Sequence, residues 1–274
     1  MPSHVSRSRP SLRTDRDGPI EFETAQHRLF EAAGLEMASR FVPSDTGPIH
    51  VLETGPSTAE PPLVFVHGTA AFGAFFAPLL AQFDDERLLT FDRPGYGLSD
   101  DHRYTEATIQ RTVVRALEDV LDTVGVDRID LVGHSMGGQT AIRFTLAHPD
   151  RVRRLTLIGA VVGVPGTSPP LPIRLSTVPG LGRVIRRVQA PGEEGVLDIA
   201  EIFGEREAIR DLPALIQAIA AHEADPTCAA AGISEFSALA SILGWRSSAR
   251  LRPEVLRTLQ PPTTVIWGDG DPLG

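Results

Sequence analysis

The sequence contains no lysine, and all 26 of its basic residues are arginine. This absence excludes functions that need a reactive amine, such as Schiff-base chemistry, and the phosphate-binding lysine of a P-loop. The single cysteine, Cys228, cannot form an internal disulfide, so nothing points to an oxidising compartment. Cys228 lies in an alanine-rich segment without a catalytic motif, which favours a packing role over a nucleophilic one.

The sequence also lacks an excess of positive charge and any long apolar run. Its net charge of −9 argues against nucleic acid or an anionic membrane as a partner. The longest apolar stretch, Leu155–Val164, is too short to span a bilayer. Residues 1–20 carry arginines but no apolar core, so they do not resemble a signal peptide. We predict a disordered lead-in over residues 1–20 and a cytoplasmic protein without a membrane span.

A Gly-x-Ser-x-Gly motif is present at Gly133, Ser135 and Gly137. It follows an apolar segment of strand character and precedes a segment of helical character, as a nucleophile elbow requires. In such an elbow the serine is held in a strained backbone conformation, and the flanking glycines leave room for the neighbouring strand and helix. The motif alone is a weak signal, since a tight turn whose serine merely caps the helix would look the same.

Three further segments decide between these readings. One strand ends in His67-Gly68-Thr69, a second opens into the loop 92–97, and a third opens into the acidic turn 268–271. Together with the elbow, in this order, they resemble the α/β-hydrolase superfamily, in particular its capped serine members: carboxylesterases, meta-cleavage product hydrolases and cofactor-free haloperoxidases. The resemblance covers roughly residues 36–163 and 250–274.

The alternation of strands and helices predicts an α/β fold, with a mostly parallel sheet covered by helices on both faces. The core comprises residues 21–163 and 252–274, and a proline-rich hinge opens a helical cap over residues 164–251, inserted after the sixth strand. The resemblance implies that a last strand and helix are missing. The predicted strands are Met37–Val42, Ile49–Glu53, Leu63–Val66, Leu88–Phe91, Ile129–Val132, Leu155–Val162 and Thr263–Trp267. The predicted helices are Glu21–Ala33, Phe72–Phe83, Thr105–Val124, Gly137–His148, Leu181–Val188, Gly195–Phe203, Pro213–Glu223 and Ile233–Trp245.

The resemblance implies a nucleophilic role for Ser135 and an acyl-enzyme formed from a carboxylic ester or a carbon–carbon bond next to a ketone. The backbone N–H groups of Met136 and Thr69 would form the oxyanion hole. The triad acid is expected at Asp271, with Asp269 as the other candidate. A small apolar or acyl substrate is expected as the partner, with no cofactor and no metal. The sequence leaves open whether the protein is an esterase, a carbon–carbon hydrolase or a perhydrolase.

The catalytic histidine is the missing element. In the family it follows the acid, but after Asp271 the sequence has only Pro272, Leu273 and Gly274. His67 is expected to be structural and His134 to point away from the site, while His222 in the cap is a disfavoured substitute. We therefore predict an inactive or weakly active fragment of a longer serine hydrolase. The alternative is a non-catalytic protein that binds a ligand in a capped apolar pocket.

Overall fold

The computed structural model describes residues 17–57, 61–160, 162–178, 180–181 and 192–271. Its helices are α1 Asp17–Ala33, α2 Ala77–Leu80, α3 Ile109–Val124, α4 Met136–Ala147, α5 Leu171–Ser176, α6 Glu193–Ile202, α7 Arg206–Arg210, α8 Pro213–Ala224, α9 Pro226–Leu239 and α10 Pro253–Leu256. Its strands are β1 Ala38–Val42, β2 Ile49–Thr54, β3 Leu63–Val66, β4 Leu88–Phe91, β5 Ile129–His134, β6 Val152–Ile158, β7 Ala240–Ser241, β8 Gly244–Trp245 and β9 Thr263–Ile266. Within these ranges, no helix has the length and apolarity needed to cross a bilayer.

Seven strands form one sheet in the order β1-β2-β4-β3-β5-β6-β9. β1 pairs antiparallel with β2, and β2 pairs antiparallel with β4. All remaining pairs, from β4 to β9, are parallel. This topology confirms the predicted α/β class, and it brings the loops after β3, β4, β5, β6 and β9 to the same edge of the sheet.

The main core lies between the sheet and the helices α3 and α4. In α3 the buried residues Val113, Leu117, Val120 and Leu121 recur at helical spacing and therefore share one face. Leu117, Val120 and Leu121 pack with Phe144 of α4 and with apolar residues of the central strands, whereas Val113 belongs to the cluster with Tyr96 and Met136. The helix ends where Gly125 adopts the left-handed conformation and its N–H bonds back to the last turn.

Several core elements differ from their predicted bounds, and α3, for example, begins at Ile109 instead of Thr105. β6 runs over Val152–Ile158 instead of Leu155–Val162, because it pairs with β5 from Val152 onward and ends where Gly159 turns away with φ 52°. The predicted helix Phe72–Phe83 is a 3-10 turn over Gly73–Phe76 followed by the short α2.

The segment between β6 and α10 carries the helices α5–α9 and a short hairpin of β7 and β8. The predicted helix Ile233–Trp245 is wrong in its bounds. α9 begins seven residues earlier, at Pro226, because the Asp225 carboxylate caps it by accepting the Thr227 N–H at 2.7 Å. The last residues of the predicted helix form the hairpin instead. Apart from residue 181, the predicted helix Leu181–Val188 lies outside the described residues.

Helix α1 packs against α8 of the insertion and against the loop after β3. Phe22 and Leu29 of α1 share an apolar cluster with Leu215 of α8 and Phe72. The helix begins at Asp17, four residues before the predicted start, so residues 17–20 are helical and not part of a disordered lead-in. Residues 1–16 lie outside the described range.

Strand β9 lies at one edge of the sheet, paired only with β6 among the described strands. Every residue of β9 is exposed, including Val265 (58%) and Ile266 (51%). Because both faces of β9 are uncovered in this part of the chain, its apolar side chains add to a potential aggregation edge.

Candidate active site

Ser135 occupies the sharp turn between β5 and α4, as the motif predicts. Its backbone has φ 52° and ψ −119°, a conformation that non-glycine residues rarely adopt. The Ser135 N–H donates to the Ile158 carbonyl of β6 at 2.9 Å, which fixes the turn against the neighbouring strand. Strain of this kind is typical of nucleophile elbows and supports the prediction that Ser135 is a reactive residue.

The elbow glycines are required by close packing. A Cβ on Gly133 would lie 2.6 Å from the Gly138 Cα and 2.8 Å from the Ala141 Cβ. A Cβ on Gly137 would overlap the Val66 carbonyl oxygen and approach the His67 carbonyl oxygen at 2.6 Å. Both positions therefore exclude side chains, because α4 crosses directly over β5 and the end of β3.

The loop after β3 lies directly against Ser135. A Cβ added to Gly68 would lie 3.0 Å from the Ser135 Cβ and 3.4 Å from its Oγ. Two residues later Ala70 has φ 56°, so Ser135 and Ala70 are the described non-glycine residues with positive φ. The sequence analysis did not single out Ala70, since no motif marks it. The two strained residues lie in adjoining turns around one point of the sheet edge, where strain is typical of function.

The peptide unit between Gly68 and Thr69 is held by its carbonyl. The Gly68 oxygen accepts hydrogen bonds from His67 Nδ1 at 2.7 Å and from Arg93 Nη2 at 2.9 Å. Because the carbonyl and the N–H of a trans peptide point in opposite directions, the Thr69 N–H is directed away from these donors. Within the described part of the chain, the Thr69 N–H forms no hydrogen bond. An N–H group that is to stabilise an oxyanion must point away from the partners of its own carbonyl and must not be used in another hydrogen bond.

His67 acts as a structural residue at this site, as the resemblance implies. Its Nε2 accepts the Arg93 backbone N–H at 2.9 Å, so the ring proton lies on Nδ1 and is donated to Gly68. Burial, and then the nearby Arg93 cation, hold the pKa of His67 well below its usual range. The ring is therefore neutral, and both of its nitrogens are occupied.

Asp92 anchors the loop after β4 next to this site. Its carboxylate accepts the N–H of Gly73 at 2.6 Å and of Leu98 at 2.8 Å, and lies 2.8 Å from His50 Nδ1. Burial alone would raise the pKa of Asp92, but the hydrogen bonds from His50, Leu98 and Gly73 outweigh it and lower that pKa. Asp92 thus ties β2 and the turn after β3 to the loop that carries Arg93.

Asp92→Asn is expected to lower the free energy of unfolding at neutral pH by about 1–3 kcal/mol, because a buried donor loses its acceptor. Since folding lowers the pKa of Asp92, its charge stabilises the fold above its ordinary pKa, and this contribution is lost as the pH falls through the folded pKa. Urea unfolding at decreasing pH measures the difference between variant and wild type. The difference in the free energy of unfolding between Asp92→Asn and wild type should shrink in acid. The control Asp127→Asn, at an exposed position, should have the same free energy of unfolding as wild type at every pH. A constant gap for Asp92→Asn would contradict the assignment.

Glu235, on α9 of the insertion, is a residue of the site that sequence reasoning missed. It is fully buried and accepts hydrogen bonds from Arg93 Nη1 at 2.5 Å, Tyr96 OH at 2.5 Å and Thr69 Oγ1 at 2.8 Å. Burial lowers the pKa of Arg93, but the adjacent Glu235 charge outweighs it and raises that pKa. For Tyr96, burial and then the Glu235 charge both raise the pKa of the phenol well above its usual value. One sequence signal was available, since a glutamate on the apolar helix α9 is unusual.

The acid turn after β9 contains both predicted carboxylates. Asp269 is exposed, whereas Asp271 is half-buried. Asp271 Oδ2 lies 3.9 Å from the position a Cβ would take on Gly159, the residue after β6. The Asp271 carboxylate thus faces the strand next to the elbow, which favours Asp271 over Asp269 as the triad acid. That role stays a prediction.

Most histidines of the described residues are engaged in other contacts. His50 is fully buried between Asp92 and the Ser39 hydroxyl. The His134 ring stacks on Phe75 with a 14° interplanar angle, and its orientation away from the site stays a prediction. His148 follows the far end of α4, about 20 Å along the helix axis from Ser135.

His102 and His222 belong to the aromatic layer under the insertion. His102 packs edge-on against Tyr104 with ring centroids 4.8 Å apart. His222 is buried, stacks on Tyr96 with a 16° interplanar angle and contacts Phe72 and Phe22. These contacts favour a packing role for His222 over that of a catalytic base.

Two surface grooves of the described chain lie elsewhere. One, of about 450 Å³, lies between α3 and α4 and is lined by residues such as Gln110 and Arg143. The other, of about 460 Å³, lies at the opposite edge of the sheet, where Arg128 and Pro262 are found. Ser135 lines neither groove, so the capped apolar pocket expected beside it stays a prediction.

The sheet order, the serine elbow after β5 and the helical insertion after β6 define an α/β-hydrolase-type protein. The chain matches the alpha/beta hydrolase fold family over residues 61–274, more than half of its length, and it belongs to that family.

Its relatives by sequence include 2-hydroxy-6-oxononadienedioate/2-hydroxy-6-oxononatrienedioate hydrolases. The protein from Paraburkholderia phymatum is 35% identical over 129 residues, which cover 45% of this chain and 44% of the relative. A homologue from Pseudomonas putida is 28% identical over 211 residues, covering 74% of this chain and 66% of the relative. The chain thus aligns with about half the length of the first of these relatives and two thirds of the second.

Solved structures with the same fold include esterases and carbon–carbon hydrolases. A carboxylesterase from Bacillus subtilis superposes with a TM-score of 0.61 at 20% identity, covering 91% of this chain and 80% of the other. The 2-hydroxy-6-oxo-6-phenylhexa-2,4-dienoate hydrolase of Rhodococcus sp. strain RHA1 gives a TM-score of 0.63 at 20% identity, covering 87% and 83%. At this identity the likeness shows the fold alone.

Proposed function

We propose that the chain carries the nucleophile and the oxyanion hole of a serine hydrolase. The observation that carries the proposal is the strained backbone of Ser135, against which the loop of Gly68 lies so closely that a Cβ on Gly68 would be 3.0 Å from the Ser135 Cβ. Ser135 would attack a carbonyl carbon and form an acyl-enzyme, while the N–H groups of Thr69 and Met136 stabilise the oxyanion. One such donor contributes roughly 2.7–4 kcal/mol in other hydrolases.

We propose a substrate with an electrophilic carbonyl, either a carboxylic ester or a ketone next to the carbon–carbon bond that breaks. The names of the sequence relatives favour the second, since those proteins act on 2-hydroxy-6-oxo dienedioates. Water would then release the acyl group from Ser135, with Asp271 as the acid of the triad.

We further propose that these 274 residues show little turnover, because the contacts of the described histidines leave none clearly placed as the base for Ser135. In a triad of this kind, loss of the histidine costs on the order of a millionfold in turnover. Slow residual chemistry from the oxyanion hole is still expected, since that hole is built from backbone groups.

The test combines a nitrophenyl ester, a chromogenic 2-hydroxy-6-oxo dienoate and an alkyl fluorophosphonate, each with wild type and Ser135→Ala. We expect slow phosphonylation of Ser135, seen as a mass increase that Ser135→Ala abolishes, together with weak turnover. Fast turnover abolished by Ser135→Ala would show that a histidine of this chain serves as the base, and His222→Ala would identify it.

The second candidate is a non-catalytic protein that binds an apolar ligand under the insertion. The engagement of the described histidines in other contacts favours it. It predicts saturable binding of a fatty-acid probe that survives Ser135→Ala, with no phosphonylation of Ser135. That result would overturn the hydrolase proposal.

A further inference from the structure

The structure assigns Glu235 as the positioning residue of the oxyanion hole: through Arg93 and Thr69 it holds the Gly68–Thr69 peptide unit in the orientation that aims the Thr69 N–H at the reacting carbonyl. This inference deepens the proposed function and rests on it. Glu235 itself is a residue of α9 and is fully buried.

The contacts of Glu235 reach both residues of that peptide unit. Arg93 binds Glu235 with Nη1 and Nη2, at 2.5 and 3.2 Å, and the same Nη2 donates to the Gly68 carbonyl at 2.9 Å. On the other side, Glu235 Oε2 accepts the Thr69 hydroxyl at 2.8 Å. The carbonyl of Gly68 and the side chain of Thr69 are therefore both tied to one carboxylate, which leaves the peptide plane little freedom to rotate.

The charge of Glu235 also has a chemical effect on the donor. A guanidinium held by a carboxylate in a buried site keeps its charge and its orientation. When that guanidinium donates to the Gly68 carbonyl, it polarises the peptide group and strengthens its N–H as a donor, as in a chain of hydrogen bonds. The Arg93 side chain is 1% exposed, so this polarisation is not screened by water.

Glu235 belongs to the insertion, whereas Thr69, Arg93 and Tyr96 belong to loops of the sheet core. The packing of α9 against these loops therefore supplies the Glu235 contacts that support the oxyanion hole. Without the Glu235 carboxylate, Arg93 would keep its hydrogen bond to the Gly68 carbonyl but lose the partner that fixes its guanidinium, and the Thr69 hydroxyl would lose its acceptor. The support of the oxyanion hole is thus shared between the insertion and the sheet core.

The test uses Glu235→Gln, which keeps the shape and removes the charge, with Glu201→Gln on the exposed face of α6 as the matched control. The first readout is the NMR shift of the Gly68 carbonyl carbon and of the Thr69 amide, which needs no reaction at Ser135. We expect both to move in Glu235→Gln, while the amide of Leu131 in β5 stays in place. Unchanged Gly68 and Thr69 signals in a folded variant would overturn the inference.

The second readout is phosphonylation of Ser135 by the fluorophosphonate, separated into the reversible binding constant and the first-order rate. We expect the rate to fall about tenfold with the binding constant unchanged, a smaller loss than the roughly 100- to 1,000-fold for deleting a donor. An equal rate in Glu235→Gln would overturn the inference while leaving the hydrolase proposal intact. If wild type is not phosphonylated at all, the proposed function fails instead, and the assignment of an oxyanion hole fails with it.

Glu235→Gln leaves Arg93 buried without its anion and can therefore be unstable. A second variant that folds is needed to test the inference independently. Arg93→Met/Glu235→Leu removes both charges together and replaces them with apolar groups of similar volume, which buried ion pairs commonly tolerate. In this double variant we expect the same shifts at Gly68 and Thr69 and the same slower phosphonylation. Wild-type values for both readouts in the folded double variant would again overturn the assignment.

Discussion

Replacing Gly137 with alanine is expected to lower the free energy of unfolding by about 4 kcal/mol or more, which belongs to the rare, severe class of single substitutions. The new methyl group would overlap the Val66 carbonyl oxygen and approach that of His67 at 2.6 Å. These are backbone atoms at the end of the buried strand β3, so neither can rotate away as a side chain would. To admit the methyl, α4 would have to separate from the sheet.

Thermal unfolding measures this effect, and for a domain of this size a loss of about 4 kcal/mol lowers Tm by roughly 8–16 °C. The control is Gly268→Ala in the acid turn, where an added Cβ meets no atom within 4 Å, so its Tm should match wild type. A Gly137→Ala protein with the Tm of wild type would show that α4 does not lie as close to β3 as the structure has it.

Arg93→Met alone is expected to destabilise the protein by about 3–5 kcal/mol, because it leaves the Glu235 carboxylate buried without its cation. The side chains of the pair are 1% and 0% exposed, so water cannot replace the lost partner. Arg93→Met/Glu235→Leu should recover part of that loss, since no buried charge remains unpaired, although the buried Tyr96 hydroxyl loses its acceptor.

Urea unfolding of wild type, both single variants and the double variant gives the coupling energy of the pair. The matched cycle uses the same substitutions at Arg210 and Glu207, whose side chains are 55% and 79% exposed. There the coupling should stay below about 1 kcal/mol. If the Arg93 and Glu235 effects simply add, the two residues do not act as a buried pair.

The position of each segment of the candidate site could be predicted from the sequence because each is local. The strands Leu63–Val66 and Leu88–Phe91 have the bounds that their apolar runs predict. The elbow at Ser135 follows from the two glycines and the strand and helix on either side of it, all within a few residues. In such cases the sterics of one turn decide the structure.

Bounds that depend on a distant partner were predicted less well. β6 begins at Val152 because it pairs there with Ile129 of β5, a register that its own apolar run does not indicate. α9 begins at Pro226 under the Asp225 cap, although the apolar pattern alone suggests a start at Ile233. Pairing register and capping geometry overrode periodicity at both places.

The sequence by itself determined the family, the strained turn that holds Ser135 and the loops that surround it, because short motifs of glycine, serine, histidine and aspartate specify those turns directly. Only the tertiary structure decided what supports the oxyanion loop. Glu235 lies 166 residues from Thr69 and 142 from Arg93 along the chain. No pattern within either segment encodes that contact. It forms because the insertion folds back over the sheet edge, where a buried carboxylate is stable only beside a cation and hydroxyl donors.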